Sequence, residues 1–400
     1  MLLDGLKSWL KRHNKKLAVK LAPIYGMHRN SIMRRARKRH GIDKNKVVFS
    51  AFNYRSYNDN PRYISEKLKQ LRPETDIVWL FGDVEKAKKN YPIPDYVRCH
   101  PALSKEGIAE MGTARVWVDN FSKSFYLKLD PQQYYVQTWH GDRAFKKVGY
   151  DRDIPHGELL EEHCSLGVTG SDYGDRQFRS AFHYKGEIMK VGYPRNDILL
   201  RSDPGEGLAI RRALGVEDDV QLLLYAPTFR DVDRLNHQQQ RVPLDLMRVL
   251  DVLEETTGQK WKCLVRAHYM SFGIPVEDPS GRLMNMTAYP EMAELLKIAD
   301  ALITDYSSCA GDYALTRRPI FLYQDDLEDY KNNNRELYFD MADSPYWVAD
   351  TQEGMEALIR RCTPESAREN CDAILRFYGE AETGHAAQSI AEYIIDKLAR

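Results

Sequence analysis

Four places in the chain set chemistry-bearing side chains directly after a short apolar run. Residues 134–138 lead into Trp139-His140-Gly141, with Lys146 and Lys147 close behind. Residues 220–225 lead into Thr228 and Arg230, residues 262–265 into Arg266-Ala267-His268, and residues 301–303 into Asp305, Ser307 and Ser308. An imidazole titrates near operating pH and a neighbouring glycine lets a substrate approach, so His140 with Gly141 fits a general base; a histidine satisfied by its own neighbours is the other reading. Lys146 and Lys147 either receive an anionic acceptor or are simply solvated. Thr228, Arg230, Arg266, His268, Asp305, Ser307 and Ser308 combine cations with small hydroxyls, the donor chemistry that a diphosphate requires. Ser307 and Ser308 would serve equally to cap a helix.

These clusters share a face only if the elements beneath them are parallel strands. Apolar runs at 47–49, 77–81, 116–118, 134–138, 166–169 and 187–191 alternate with helical patterns, as do those at 220–225, 262–265, 301–303 and 320–323. Such alternation predicts an α/β chain of βαβ units, in which loops at the carboxyl ends of the strands gather on one edge and bind ligands there. Gly192-Tyr193-Pro194 ends one strand, and residues 202–207, with Pro204, Gly205 and Gly207, form a turn-rich break near residue 200. The expected division is a basic arm at 1–46, an acceptor domain at 47–200, a donor domain at 201–380 and a C-terminal helix at 381–400. Arg195, Asn196 and Asp197 either serve the cleft or staple this linker.

Four hundred residues, 43% hydrophobic and 29% charged, describe an ordinary globular chain with more than one core. The six cysteines are scattered and predict neither disulfides nor a zinc site. The formal net charge of zero hides an asymmetry, because residues 1–46 carry 14 lysines and arginines against Asp4 and Asp43. Leu2, Leu3, Leu6, Trp9 and Leu10 fall near helical spacing opposite Lys7, Lys11, Arg12, Lys15 and Lys16, the pattern of an interfacial helix on an anionic membrane. A solvated tail is the plain alternative, and no groove-reading or aromatic-interleaved pattern supports nucleic acid. No apolar run reaches the ~18 residues that span a bilayer and no signal peptide is evident, so the expected location is the cytoplasmic side of the cell membrane, held peripherally. There is no phosphate loop of the GxxxxGK[ST] type, no GxGxxG and no Asp-x-Asp at a strand end; Asp325, Asp326 and Asp329 fall in a loop. Neither a metal nor a cofactor is expected, and charge on a leaving phosphate falls to Arg266 and His268.

Six motifs in order give the chain a resemblance over roughly residues 47–380. They are QTWHG ending at Gly141, KKxGYD from Lys146, GYPRND from Gly192, YAPTFRD from Tyr225, RxH from Arg266, and ITDYSS from Ile303 followed by DYA and RRPIFLYxxDLEDY. Together they resemble the CDP-glycerol glycerophosphotransferases of teichoic acid synthesis, of primase and polymerase type. The resemblance implies a GT-B type fold, two Rossmann-like domains around a cleft, on a basic amphipathic N-terminal arm. It implies a CDP-glycerol donor and a polyprenyl-diphosphate-linked saccharide acceptor, His140 as base, and His268, Arg230, Ser307 and Ser308 at the donor pyrophosphate. The family pattern continues WHG with Thr-Pro-Leu, where Asp142-Arg143-Ala144-Phe145 stands here, which leaves the acceptor's orientation open. The short arm looks more like a primase. A CDP-ribitol or capsule-polymer phosphotransferase, a GT-B sugar transferase and a non-enzymatic adaptor are the competing expectations, and an oligomer is open.

Overall fold

The computed structural model describes residues 15–123, 127–152, 163–228, 230, 241–267, 276, 278–333 and 336–400, with side chains given at Ile24 and from Gly26 onward. Two parallel sheets carry the chain. The first has the order β3-β2-β1-β4-β5-β6-β7 and the second β10-β9-β8-β11-β12-β13. In the first sheet β1 is Asp43–Ser50, β2 Asp76–Phe81, β3 Arg98–Pro101, β4 Ala114–Asp119, β5 Tyr134–Gln137, β6 Leu166–Thr169 and β7 Ile188–Lys190. In the second, β8 is Val220–Tyr225, β9 Lys260–Val265, β10 Leu283–Asn285, β11 Ala301–Thr304, β12 Ile320–Tyr323 and β13 Val348–Ala349. In each sheet the chain winds outward in one direction and then restarts on the other side of its first strand. The crevice where winding reverses lies between β1 and β4 in one sheet and between β8 and β11 in the other, and open sheets bind ligands there.

The central strands read as unbroken apolar runs because helices cover both faces. Val47 and Phe49 of β1 join one buried cluster while Val48 joins another; Leu222 and Leu224 of β8 face one core, Leu223 and Tyr225 the opposite one. The strands that sequence missed, β3, β10 and β13, are short edge or near-edge strands. The RCHP of β3 carries no alternation that would mark it.

Two departures from the expected division concern its ends. The helix Ala386–Ala399 crosses back and buries Ile390, Ala391, Ile394 and Leu398 among Val47, Val116 and Val136 of the first sheet. At the other end, one helix runs Lys15–His40, straight through Pro23. Its second half is docked: Met33 is buried with Ile108 and Met111, and Arg37 pairs with Asp130 at 3.3 Å. Ile24 and Met27 remain exposed on it. Of the residues expected to meet a membrane, Trp9, Lys11 and Arg12 lie outside the described residues, and Lys15 and Lys16 open the helix without described side chains. Among the described residues no helix is long and apolar enough to cross a membrane.

The docking depends on Gly112, where an added Cβ would stand 2.7 Å from the Met33 Cα. Gly112→Val should therefore push the two helices apart at a cost of about 1–3 kcal/mol, read as a lower Tm in thermal unfolding.

Candidate active site

The carboxyl edges of the two sheets face each other across a cleft of about 870 Å³. His140, Thr228, Arg266, Ser307 and Ser308 all line it, so the structure brings together side chains that sequence placed at four separate strand ends.

His140 stands at the end of β5 on a turn that Trp139 makes in a left-handed conformation, φ 54°. Its Nδ1 lies 2.6 Å from the carbonyl oxygen of Asn120. A carbonyl only accepts, so Nδ1 carries the proton and Nε2 keeps its lone pair, the tautomer a general base needs. Phe121 stacks on the ring at 5.6 Å and Phe52 meets it edge-on at 5.2 Å. Burial in this aromatic slot pulls the imidazole pKa below its usual value, more strongly than the Asn120 carbonyl and Asp59 push it up. Gly141 follows, where a Cβ would meet Ala144 Cβ at 3.6 Å and Ser308 Oγ at 4.0 Å, ordinary contact distances.

On the opposite wall, Arg266 donates from NH1 to the Tyr289 carbonyl at 2.7 Å, and burial lowers its pKa. Ser307 and Ser308 precede a short helix, Cys309–Tyr313, in which Ser308 makes no side-chain cap and Ser307 Oγ only a 3.4 Å contact with the Cys309 N–H. Capping therefore accounts for little of this serine pair. Thr228 and Asp305 are buried and tied together: Asp305 accepts from the Thr228 N–H at 2.9 Å and its hydroxyl at 3.0 Å. Arg230 holds Asp305 at 2.9 Å and grips Asp326 with two donors at 2.7 and 3.1 Å, its guanidinium packed against the rings of Tyr306 and Tyr330. Arg230 and Asp305 thus brace the loop ends from behind the wall. His268 lies outside the described residues.

Lys146 and Lys147 are not part of the cleft wall. They run beside residues 336–338 of the second half, Lys146 bridging to Leu337 with its ammonium 5.9 Å from the Tyr330 ring, and Lys147 paired with Glu336 at 2.7 Å. The stretch before them explains the unusual Asp142-Arg143. Arg143 is fully buried and donates to Asp312 at 3.2 Å, Glu382 at 3.1 Å and the Gly170 carbonyl at 3.0 Å. Arg195 and Asn196 join this cluster by bonding to Asp312 as well, so Gly192–Asp197 serves the cleft and the junction at once.

Sequence reasoning missed Asp59, Asn120 and Glu291. Asn120 directly follows β4, so the strand-end rule that found His140 would have found it. Glu291 lines the cleft, and burial lifts its pKa to about 7. Among the described residues no group of three or more His, Cys, Asp or Glu side chains is placed to hold a metal ion.

Residues 32–396 match the family model of CDP-glycerol:poly(glycerophosphate) glycerophosphotransferase. The chain belongs to this family. Similar members include the teichoic acid poly(glycerol phosphate) polymerase of Bacillus subtilis (strain 168), 29% identical over a 390-residue alignment, with 90% of this chain and 50% of the polymerase covered. The teichoic acid glycerol-phosphate transferase of Staphylococcus aureus (strain NCTC 8325 / PS 47) is 27% identical, over 88% of this chain and 93% of the transferase. The chain therefore spans about half the length of the polymerase relative and nearly all of the transferase. Among solved structures, a variant of the wall teichoic acid polymerase TagF soaked with CDPG superimposes with a TM-score of 0.78 at 25% identity, covering 100% of this chain and 98% of that one. In this family member, the Glu382 carboxyl beside Arg143 is lifted by burial to about 7.

A carboxyl whose pKa rises on folding binds its proton more tightly in the native state, so its contribution to stability is lost as pH climbs from the unfolded value near 4.3 to about 7. Glu382→Gln abolishes that loss. The difference in Tm between variant and wild type should shift in the variant's favour across this window, as differential scanning calorimetry at successive pH values would show.

Proposed function

We propose that the protein transfers glycerol phosphate from CDP-glycerol to a hydroxyl of a lipid-linked acceptor, in the synthesis of teichoic acid or a related surface polymer. The observation that carries this reading is His140: its Nδ1–H is committed to Asn120 and it faces a wall of Arg266, Thr228, Ser307 and Ser308, in a chain of this family. The two halves then act as the Rossmann-like domains of a GT-B type enzyme, residues 47–200 for the acceptor and 201–380 for the donor.

In this reading the CDP-glycerol diphosphate lies against Arg266, Thr228 and the serine turn, with Arg230 and Asp305 holding the loops in place; His268, outside the described residues, is assigned to the same diphosphate by the RxH motif alone. Burial lowers the Arg266 pKa more than Glu291 raises it, and a diphosphate adds further counter-charge there. The acceptor hydroxyl gives its proton to His140 Nε2 while its oxygen bonds the β-phosphorus. The bond from that phosphorus to the bridging oxygen breaks, its electron pair leaves with CMP, and a glycerol phosphodiester remains on the acceptor. Positioning and charge neutralisation do most of the catalysis in such transfers. Gly141 leaves room for the attacking hydroxyl, and Lys146 and Lys147, outside the cleft, meet phosphates further along the acceptor. The basic residues Lys11, Arg12, Lys15 and Lys16, with Trp9, hold the enzyme peripherally on the cytoplasmic face of the membrane.

Incubation with CDP-glycerol and a lipid-linked acceptor, with CDP-ribitol in parallel, should release CMP and add glycerol phosphate mass to the acceptor; release of a nucleoside diphosphate would sink the phosphotransferase reading. His140→Ala should lower kcat by about 10²–10⁴. Because the base must be neutral and burial lowers its pKa, the acid limb of kcat/KM should fall below the ordinary imidazole value of about 6.5. Replacing Lys11, Arg12, Lys15 and Lys16 by Gln should weaken flotation with anionic vesicles and leave neutral vesicles unaffected; unchanged flotation removes the membrane role.

A further inference from the structure

Asp59 opens the helix Asp59–Leu71 in a left-handed backbone conformation, φ 59°, uncommon outside glycine although Asp adopts it more readily than most residues, and one that its surroundings must hold in place. Its surroundings do. The Asp59 N–H donates across the cleft to Glu291 Oε2 at 2.9 Å. Its carboxylate is buried and fully engaged: one oxygen accepts from the Asn60 N–H and from Asn120 Nδ2, each at 2.8 Å, and the other from Arg195 NH1 at 2.8 Å.

Two of those partners lead to His140. Asn120, held by its amide, presents the carbonyl that receives the imidazole Nδ1–H, and Arg195 NH1 donates to the His140 carbonyl at 3.0 Å. The other nitrogen of Arg195 reaches Asp312 Oδ2 at 2.8 Å, four residues beyond Ser308 in the helix that follows the serine turn. One carboxylate on the first half therefore stands behind the base by two routes and behind the opposite wall by a third. A group needed only to start a helix would not require this: the N-cap position, Asn58, makes no side-chain cap.

We propose that Asp59 is a positioning residue for the transfer reaction, fixing through Asn120 and Arg195 both the orientation of the His140 imidazole and its register with the Ser307–Ser308 turn. This rests on the function proposed above, in which His140 is the base. The charged groups that face the imidazole are Asp59, Asp119 and Arg195, with Asp119 itself held by Lys123; Phe52, Phe121 and Trp139 supply the uncharged walls.

Asp59→Asn keeps the shape but turns an amide donor toward Arg195 and removes the negative charge that favours protonated His140. It should lower kcat by about 100-fold, the effect of a small misplacement of reacting groups. KM for CDP-glycerol should stay within about twofold of wild type, and the acid limb of the pH profile should move further down. Arg195→Lys keeps the positive charge but cannot bridge Asp59 and Asp312 together. It should lose kcat without that downward movement. Wild-type kcat and an unmoved acid limb in Asp59→Asn, or a loss matched by the fraction of unfolded protein, overturns the proposal. Nitrogen NMR of His140 tests the link without turnover: the Nδ1–H tautomer should dominate in wild type and decline in Asp59→Asn, and an unchanged tautomer overturns it. Absence of CMP release by the wild type would instead reject the function, leaving the tautomer measurement to decide the positioning role.

Discussion

The structure depends on one buried carboxylate, Asp312. It lies in the helix after the serine turn and collects Arg143 and Arg195, both from the first half of the chain, together with Asn196. Charges removed from water repel the fold unless each finds a partner, and taking one partner from such a cluster typically costs about 3–5 kcal/mol. The two sheets are thus joined by a set of bonds with fixed lengths and directions as well as by apolar contacts. The cluster is also unbalanced. Asp59, Asp142, Asp312 and Glu382 surround two guanidiniums, and burial raises the pKa of Asp142 and lifts that of Glu382 to about 7, which eases the excess of negative charge.

The apolar contacts repeat this theme. Phe145, carried on the segment just past His140, leaves the first half and buries in the second core beside Phe339 and Tyr346. The Asp142-Arg143-Ala144-Phe145 stretch that departs from the family pattern is therefore a fastening between halves: its charge enters the buried cluster and its ring enters the neighbour's core. It sits directly against Gly141, so the fastening and the cleft residue His140 share a backbone.

Much of this was legible in the sequence. The parallel α/β organisation follows from unbroken apolar runs and helical intervals, and His140, Thr228, Arg266, Ser307 and Ser308 were found because each directly follows a strand. What escaped were relations over long separations. Asp59 and Asn120 are 61 residues apart, and no local pattern announces their bond. Lys146 and Lys147 lay close to His140 in sequence, but the chain turns away to meet residues 336–338. Arg230 looked like a ligand because it is a cation at a strand end, while its two carboxylate partners, Asp305 and Asp326, make it a brace. The three successive left-handed residues Phe52, Asn53 and Tyr54 beside His140 contain no glycine that would have signalled them.

The return of the helix Ala386–Ala399 to the first sheet bears on how the protein is made. Lys44, at the start of β1, donates to the Arg400 carbonyl at 2.8 Å although 356 residues separate them. The second sheet is in effect an insertion within the first structural unit. A ribosome adds ~5–20 residues per second, so β1 waits for tens of seconds with the face that Ile390, Ile394 and Leu398 will cover still open to water, while the entire second half can already close on itself. The second half is expected to mature first, and the half bearing His140 to be the last to become native and the more dependent on chaperones.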